Sequence, residues 1–110
     1  MIEKMILDYL ASQLTVPVYM ELAAHPPETF VLVEKTGSSR SNRIESATVA
    51  IQSWAGSMYD AAALNEMVKA AMDEMPDTEN VGSVRLNSDY NFTDTATKRY
   101  RYQAVYDITY

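Results

Sequence analysis

The chain has 110 residues, no cysteine and a net charge of −6 at neutral pH. That length suits a single domain, 1–110, with a core of its own. Lack of cysteine excludes disulfides, thiolate metal sites and a thiol nucleophile. The acidic balance opposes a general attraction to nucleic acid, so such a role would need a sharply segregated basic patch.

Residues 1–14 place Ile2, Met5, Ile6, Leu10 and Leu14 at helical spacing, with Glu3, Lys4, Asp8 and Gln13 between them. One apolar stripe results, and the spacing predicts a helix that Pro17 stops by disfavouring a helical Val16. Glu3 and Asp8 also break the layout of a signal peptide, and no apolar run reaches the length of a membrane span. The expectation is a protein that is cytosolic where it is made.

"VYMEL" (18–22) suits a short strand and "AAHPPE" (23–28) a loop, because consecutive prolines remove two amide donors. "TFVLVEK" (29–35) is apolar and β-rich, as a central strand would be. "TGSSRSNR" (36–43) contains no apolar residue and reads as an exposed, mobile hairpin arm. "IESATVAIQSWA" (44–55) returns as a strand in which Ala47, Val49 and Ile51 share a phase. Ile44 and Trp54 fall out of it, which predicts a bulge or strand end near Trp54.

A second helix is predicted over 58–75. Ser57 is its candidate N-cap, with Asp60 in the place of a capping-box glutamate. Ala61, Leu64, Val68, Ala71 and Met75 lie on one face, Met67 and Met72 beside them, and Pro76 ends the run. After a turn at 77–80, a strand over 81–93 alternates Val84, Leu86, Tyr90 and Phe92 against Arg85, Asn87, Asp89 and Asn91. Residues 94–98 link it to a last strand, 99–110. There Tyr100, Tyr102, Ala104, Tyr106, Ile108 and Tyr110 share one face, and Arg99, Arg101, Gln103, Val105, Asp107 and Thr109 the other.

The order α-β-β-β-α-β-β, with hairpin-sized links, predicts an α+β fold. It would be a two-layer sandwich, a mainly antiparallel sheet of about five strands with both helices on one face. In that arrangement tyrosine and arginine of "KRYRYQAVYDITY" alternate across the sheet, leaving one helix-covered face and one polar face.

Enzyme chemistry finds little footing. His25 stands in a loop without a second histidine or a thiol, so a locally packed loop histidine is the better reading. Asp60, Glu66, Asp73 and Glu74 sit on or beside the second helix, Asp60 with a capping job and Glu66 with Lys69 on its polar side, and a solvated face outweighs a metal or acid–base site. "TGSSRS" matches neither a phosphate-binding loop nor a nucleophile elbow. No catalytic, cofactor or metal residue is expected. Met5, Met67 and Met75 read as core packing rather than a binding surface. Arg40 and Arg43, around Ser41 and Asn42, could instead be an assembly arm whose guanidinium forks pair with a neighbour's carboxylates.

The order of elements, with "VPVYMEL", a strand pair around a polar arm and "VAIQSWAGSMYDAAALNEMVKAAM", resembles small phage tail-completion proteins. These are the tail terminators and related head–tail joining proteins of long-tailed phages and prophages. The likeness spans nearly the whole chain as a pattern, most specifically in the strand ending "IQSWA" that runs directly into a capped, alanine-rich helix. The final strand "YRYQAVYDITY" also fits. The resemblance implies a non-catalytic virion protein, made in the bacterial cytoplasm and placed at the tail–head junction. There it would form a ring, commonly a hexamer, that caps the tail tube and meets the head connector. It implies no cofactor, membrane or nucleic-acid specificity. By position, 36–43 would match an arm for ring or tube contacts, making Arg40, Ser41, Asn42 and Arg43 candidate interface residues, with Arg99 and Arg101 on the open sheet face. The alternative is a small nucleic-acid-binding module that uses the basic and aromatic last strand, with Tyr100 and Tyr102 stacking on bases.

Overall fold

A computed structural model describes residues 1–78 and 81–110. The elements follow the expected order: α1 Ile2–Gln13, β1 Val18–Tyr19, β2 Phe30–Ser41, β3 Ile44–Ala55, α2 Met58–Thr78, β4 Ser83–Asn91 and β5 Tyr100–Thr109. The strands form one sheet in the order β1-β2-β3-β5-β4. All pairs are antiparallel except β1 with β2, which are parallel over Val18–Val31 and Tyr19–Leu32. The predicted turn at 77–80 falls partly outside the described residues.

Both helices lie on one sheet face. From α1, Ile2, Ile6, Tyr9 and Leu10 are buried at three- and four-residue spacing, as one stripe on a sheet requires. From α2 come Ala61, Leu64, Val68, Met72 and Met75, and from the sheet Val31, Val33, Val49, Ile51, Ala104, Tyr106 and Ile108. The Tyr9 hydroxyl donates to the Ala71 carbonyl at 2.6 Å and ties the two helices together. The Tyr106 hydroxyl is buried with no hydrogen-bond partner among the described residues. Burial pushes its pKa above the usual tyrosine value, with the Asp73 carboxylate acting in the same direction.

Ser57 caps α2: the Asp60 amide donates to its hydroxyl at 3.1 Å. The helix does not stop at Pro76 but continues to Thr78. Proline removes one donor, yet here it falls in the last turn, where few further bonds depend on it. Met67 does not pack in the core; it is half exposed.

The strands depart from expectation in ways that matter for function. The segment 18–22 supplies only two strand residues, after which Met20 and Leu22 are exposed. The segment 36–43 is an exposed hairpin arm as expected, but it is regular strand rather than loop. β2 and β3 stay paired to Ser41–Ile44, leaving only Asn42 and Arg43 as the turn. Of the two expectations near Trp54, the strand end holds and the bulge does not: β3 ends at Ala55 and keeps continuous register with β5 from Ser46 to Ala55. Trp54 is out of phase because it serves the other face. Bulges occur instead between Lys35 and Gly37 and between Leu86 and Ser88. The second one reverses the phase of β4, so Tyr90 pairs opposite Gln103 while Leu86 pairs opposite Tyr106. Tyr90 and Phe92 therefore leave the side that Val84 and Leu86 keep.

Candidate functional site

The β2–β3 hairpin divides into a body and a ribbon. Phe30 to Val33 are buried, whereas every residue from Glu34 to Ser41 is exposed. Nothing apolar anchors the ribbon. Backbone pairing holds it, helped by a Ser39–Ser46 hydroxyl contact at 2.8 Å and by Thr36, which donates to the Thr48 carbonyl at 3.2 Å. Arg40 and Glu45 approach to 4.0 Å with both side chains largely in water, a contact that adds little stability. At the tip Asn42 and Arg43 both take left-handed backbone, φ 52° and 65°. Two positive φ values suit a two-residue hairpin turn, for which asparagine followed by glycine is the favoured pair. The long axis of the molecule, 44 Å against 25 and 24 Å, accommodates this projection.

The helix-free face is not simply polar. A row of rings and guanidiniums crosses it near the far end of β3. Tyr19 meets Phe30 edge-on at 5.8 Å, Phe30 stacks on Trp54 at 5.2 Å, and Tyr90 meets Phe92 edge-on at 5.9 Å. Arg101 sits between the two groups, 4.7 Å from the Trp54 centroid and 4.5 Å from that of Phe92, with Arg99 5.2 Å from Trp54. The Arg101 Nε–H also donates to the Phe92 carbonyl at 2.7 Å. Phe30, Leu32 and Trp54 are buried there as a second, small core. Beside it runs a directed hydrogen-bond chain. Trp54 Nε1 donates to Gln52 at 3.1 Å, Gln52 to Gln103 at 2.9 Å, and Gln103 to the Tyr90 hydroxyl at 2.5 Å. Toward the ribbon the face opens into a polar groove of about 410 Å³, where Ser39, Ser46, Thr48, Arg85 and Asp107 converge.

The six candidate interface residues thus form two groups. Arg40, Ser41, Asn42 and Arg43 share the ribbon tip, whereas Arg99 and Arg101 lie near the other end of β3, roughly 30 Å away at about 3.3 Å per strand residue. Sequence reasoning missed the aromatic partners of the arginines. The out-of-phase Trp54 was the available signal, and it pointed to a second buried face rather than a break. Tyr102 lies on the helix side, across the sheet from Arg101, and lines a groove with Asn65 and Tyr59 of α2.

His25 is exposed. Among the described residues no group of three or more histidine, aspartate or glutamate side chains gathers as a metal site. No helix is long and apolar enough to cross a membrane. Lys69 bridges Glu66 at 2.8 Å and Asp89, joining α2 to β4. Hydrogen bonds to Asp89 first, then Glu66, push its pKa above the usual lysine value. No family model matches the chain, and neither does any curated protein.

Proposed function

We propose that this protein is a virion structural protein of a long-tailed phage or prophage. It forms a ring, of six subunits by the family's habit, at the end of the tail tube, where it stops tube growth and offers the surface that the head connector meets. The β2–β3 ribbon carries this reading. Its residues from Glu34 to Ser41 are ordered into strand yet exposed, and among the ion pairs of the described residues only Lys35, which meets Glu3 at 3.7 Å, reaches back to a helix. Fixing backbone costs roughly 1–2 kcal/mol per residue, and burial within the subunit does not offset that cost here. A neighbouring subunit or the tube would supply the missing contacts.

A ribbon reaching from one subunit to a different surface of the next is a heterologous contact, the kind that closes into rings. Arg40 and Arg43 on an acidic protein give such a contact complementary charge. Its partners are further copies of itself, the tail-tube protein and the head-connector protein. It acts by binding, without a cofactor, and is assembled in the bacterial cytoplasm into the tail–head junction.

Light scattering after size-exclusion chromatography, over a series of protein and salt concentrations and with purified tail tubes, tests this reading. Rings of defined number, or tubes capped at one end, are the expected result. A strict monomer that leaves tubes unbound would overturn it. Salt-dependent binding of single-stranded nucleic acid that disappears when Tyr100 and Tyr102 are replaced would favour the nucleic-acid module instead.

A further inference from the structure

We infer that the groove between the start of α2 and the β4–β5 edge is an arginine-binding site, and that its occupant is Arg43 of a second copy of this chain. The inference rests on the ring reading and adds which groups meet.

The groove, about 310 Å³, is lined by Tyr59, Asn65, Glu66, Asp89 and Tyr102. Its chemistry is one-sided. Asn65 is 2% exposed, and its buried carbonyl oxygen has no hydrogen-bond partner among the described residues. A buried acceptor left unsatisfied costs about 1–3 kcal/mol, so it marks a place where a donor belongs. Glu66 and Asp89 bring two negative charges against the single positive charge of Lys69, which leaves room for one more cation. Tyr59 is 81% exposed at the first turn of α2, an aromatic ring with nothing of its own chain covering it. Acceptors, one uncompensated negative charge and aromatic rings are what a planar guanidinium recognises, because it donates in a fork and stacks on ring faces.

Arg43 has the matching properties. It makes no hydrogen bond or ion pair with any described residue, unlike Arg40. It also holds a left-handed backbone position, φ 65°, where glycine would be the stable choice and a side chain costs on the order of 1 kcal/mol. An arginine kept at such a position is explained by what its side chain reaches. That target is not in its own chain. Nine residue steps along β3 separate Ile44, beside the tip, from Ser53, which pairs with Tyr102. The span is roughly 30 Å, so only another copy can present the groove to Arg43.

Disulfide trapping in the full-length chain tests the contact, since the native sequence has no thiol. Asn42→Cys and Ala63→Cys are introduced together, with Arg43 intact and with tail tubes present or absent. The two positions are too far apart to bond within one chain, because a disulfide needs α-carbons within about 7 Å. Mild oxidation should give chains joined mainly through 42–63 junctions, as read by peptide mass mapping. Adding Arg43→Ala should lower their yield about tenfold, the factor that corresponds to about 1.4 kcal/mol. Tyr59→Ala, an exposed change, should lower it severalfold. If the protein still assembles but 42–63 junctions are missing, or indifferent to Arg43→Ala, the arginine site is overturned and the ring stands. If no junction forms and the wild-type chain neither self-associates nor binds tubes, both fall together.

Discussion

Two halves of one hairpin follow opposite rules. In the body, Phe30–Val33 and their partners Ile51–Trp54 are buried on both faces of the sheet, one against the helices and one against the Trp54 cluster. In the ribbon, Glu34–Ser41 continue the ladder past the bulge at Lys35 and Gly37 with exposed side chains, and among the described residues only Lys35 reaches back, to Glu3 of α1. Backbone pairing is common to both, so pairing sets register while side-chain burial supplies most of the stability. A ribbon held by pairing and a few polar contacts is free to be specified by what it touches.

Substitutions should separate the halves sharply. The largest effect belongs to the body: Trp54→Ala removes the ring that Phe30, Arg99 and Arg101 pack against and should cost about 3–5 kcal/mol in urea unfolding. Less than about 1 kcal/mol would show that the helix-free cluster contributes little.

Alkaline pH comes next. The folded pKa of Tyr106 lies above its unfolded value, as does that of Lys69. Their contribution is therefore whole below about pH 10, where the unfolded groups titrate, and falls as pH rises beyond it. Tyr106→Phe removes a buried hydroxyl that lacks a partner. It should raise stability by about 1 kcal/mol and flatten part of the alkaline decline; a loss of stability would place an unseen partner on that hydroxyl.

In the ribbon the signs change. Arg43→Gly should stabilise the isolated subunit by about 0.5–1 kcal/mol in thermal unfolding, because glycine accepts the left-handed turn. The same substitution should weaken assembly. A subunit destabilised by Arg43→Gly would contradict the strain argument. Smallest of all, Glu45→Ala should change stability by less than about 0.5 kcal/mol, since the Arg40 contact is long and wet.

The sequence made α2 readable because two independent signals agreed, the Ser57 cap and the apolar stripe from Ala61 to Met75. β5 was readable because Ala104, Tyr106 and Ile108 alternate cleanly against the helices. The ribbon escaped because 36–41 has no apolar residue, and a strand held only by its neighbour's backbone leaves no hydrophobic period to detect. The phase of β4 escaped because one extra residue at Asn87 moves Tyr90 and Phe92 to the other face without altering the alternation on either side. The groove beside Asn65 escaped because it joins positions about 25 and 40 residues apart, and only the β4–β5 pairing brings Asp89 and Tyr102 beside α2. Arg40 and Arg43 could be singled out from composition alone, but not the strained turn that distinguishes them.

Trp54 is the only tryptophan in the chain, and it lies under two arginines on the face that no helix covers. All indole fluorescence of the protein therefore originates there, while circular dichroism at helical wavelengths reports the opposite layer. The molecule carries a separate optical reporter for each side of its sheet. Unfolding curves recorded by the two probes would coincide if both layers melt as one unit. A partner settling on the open face would change the emission while leaving the helical signal still.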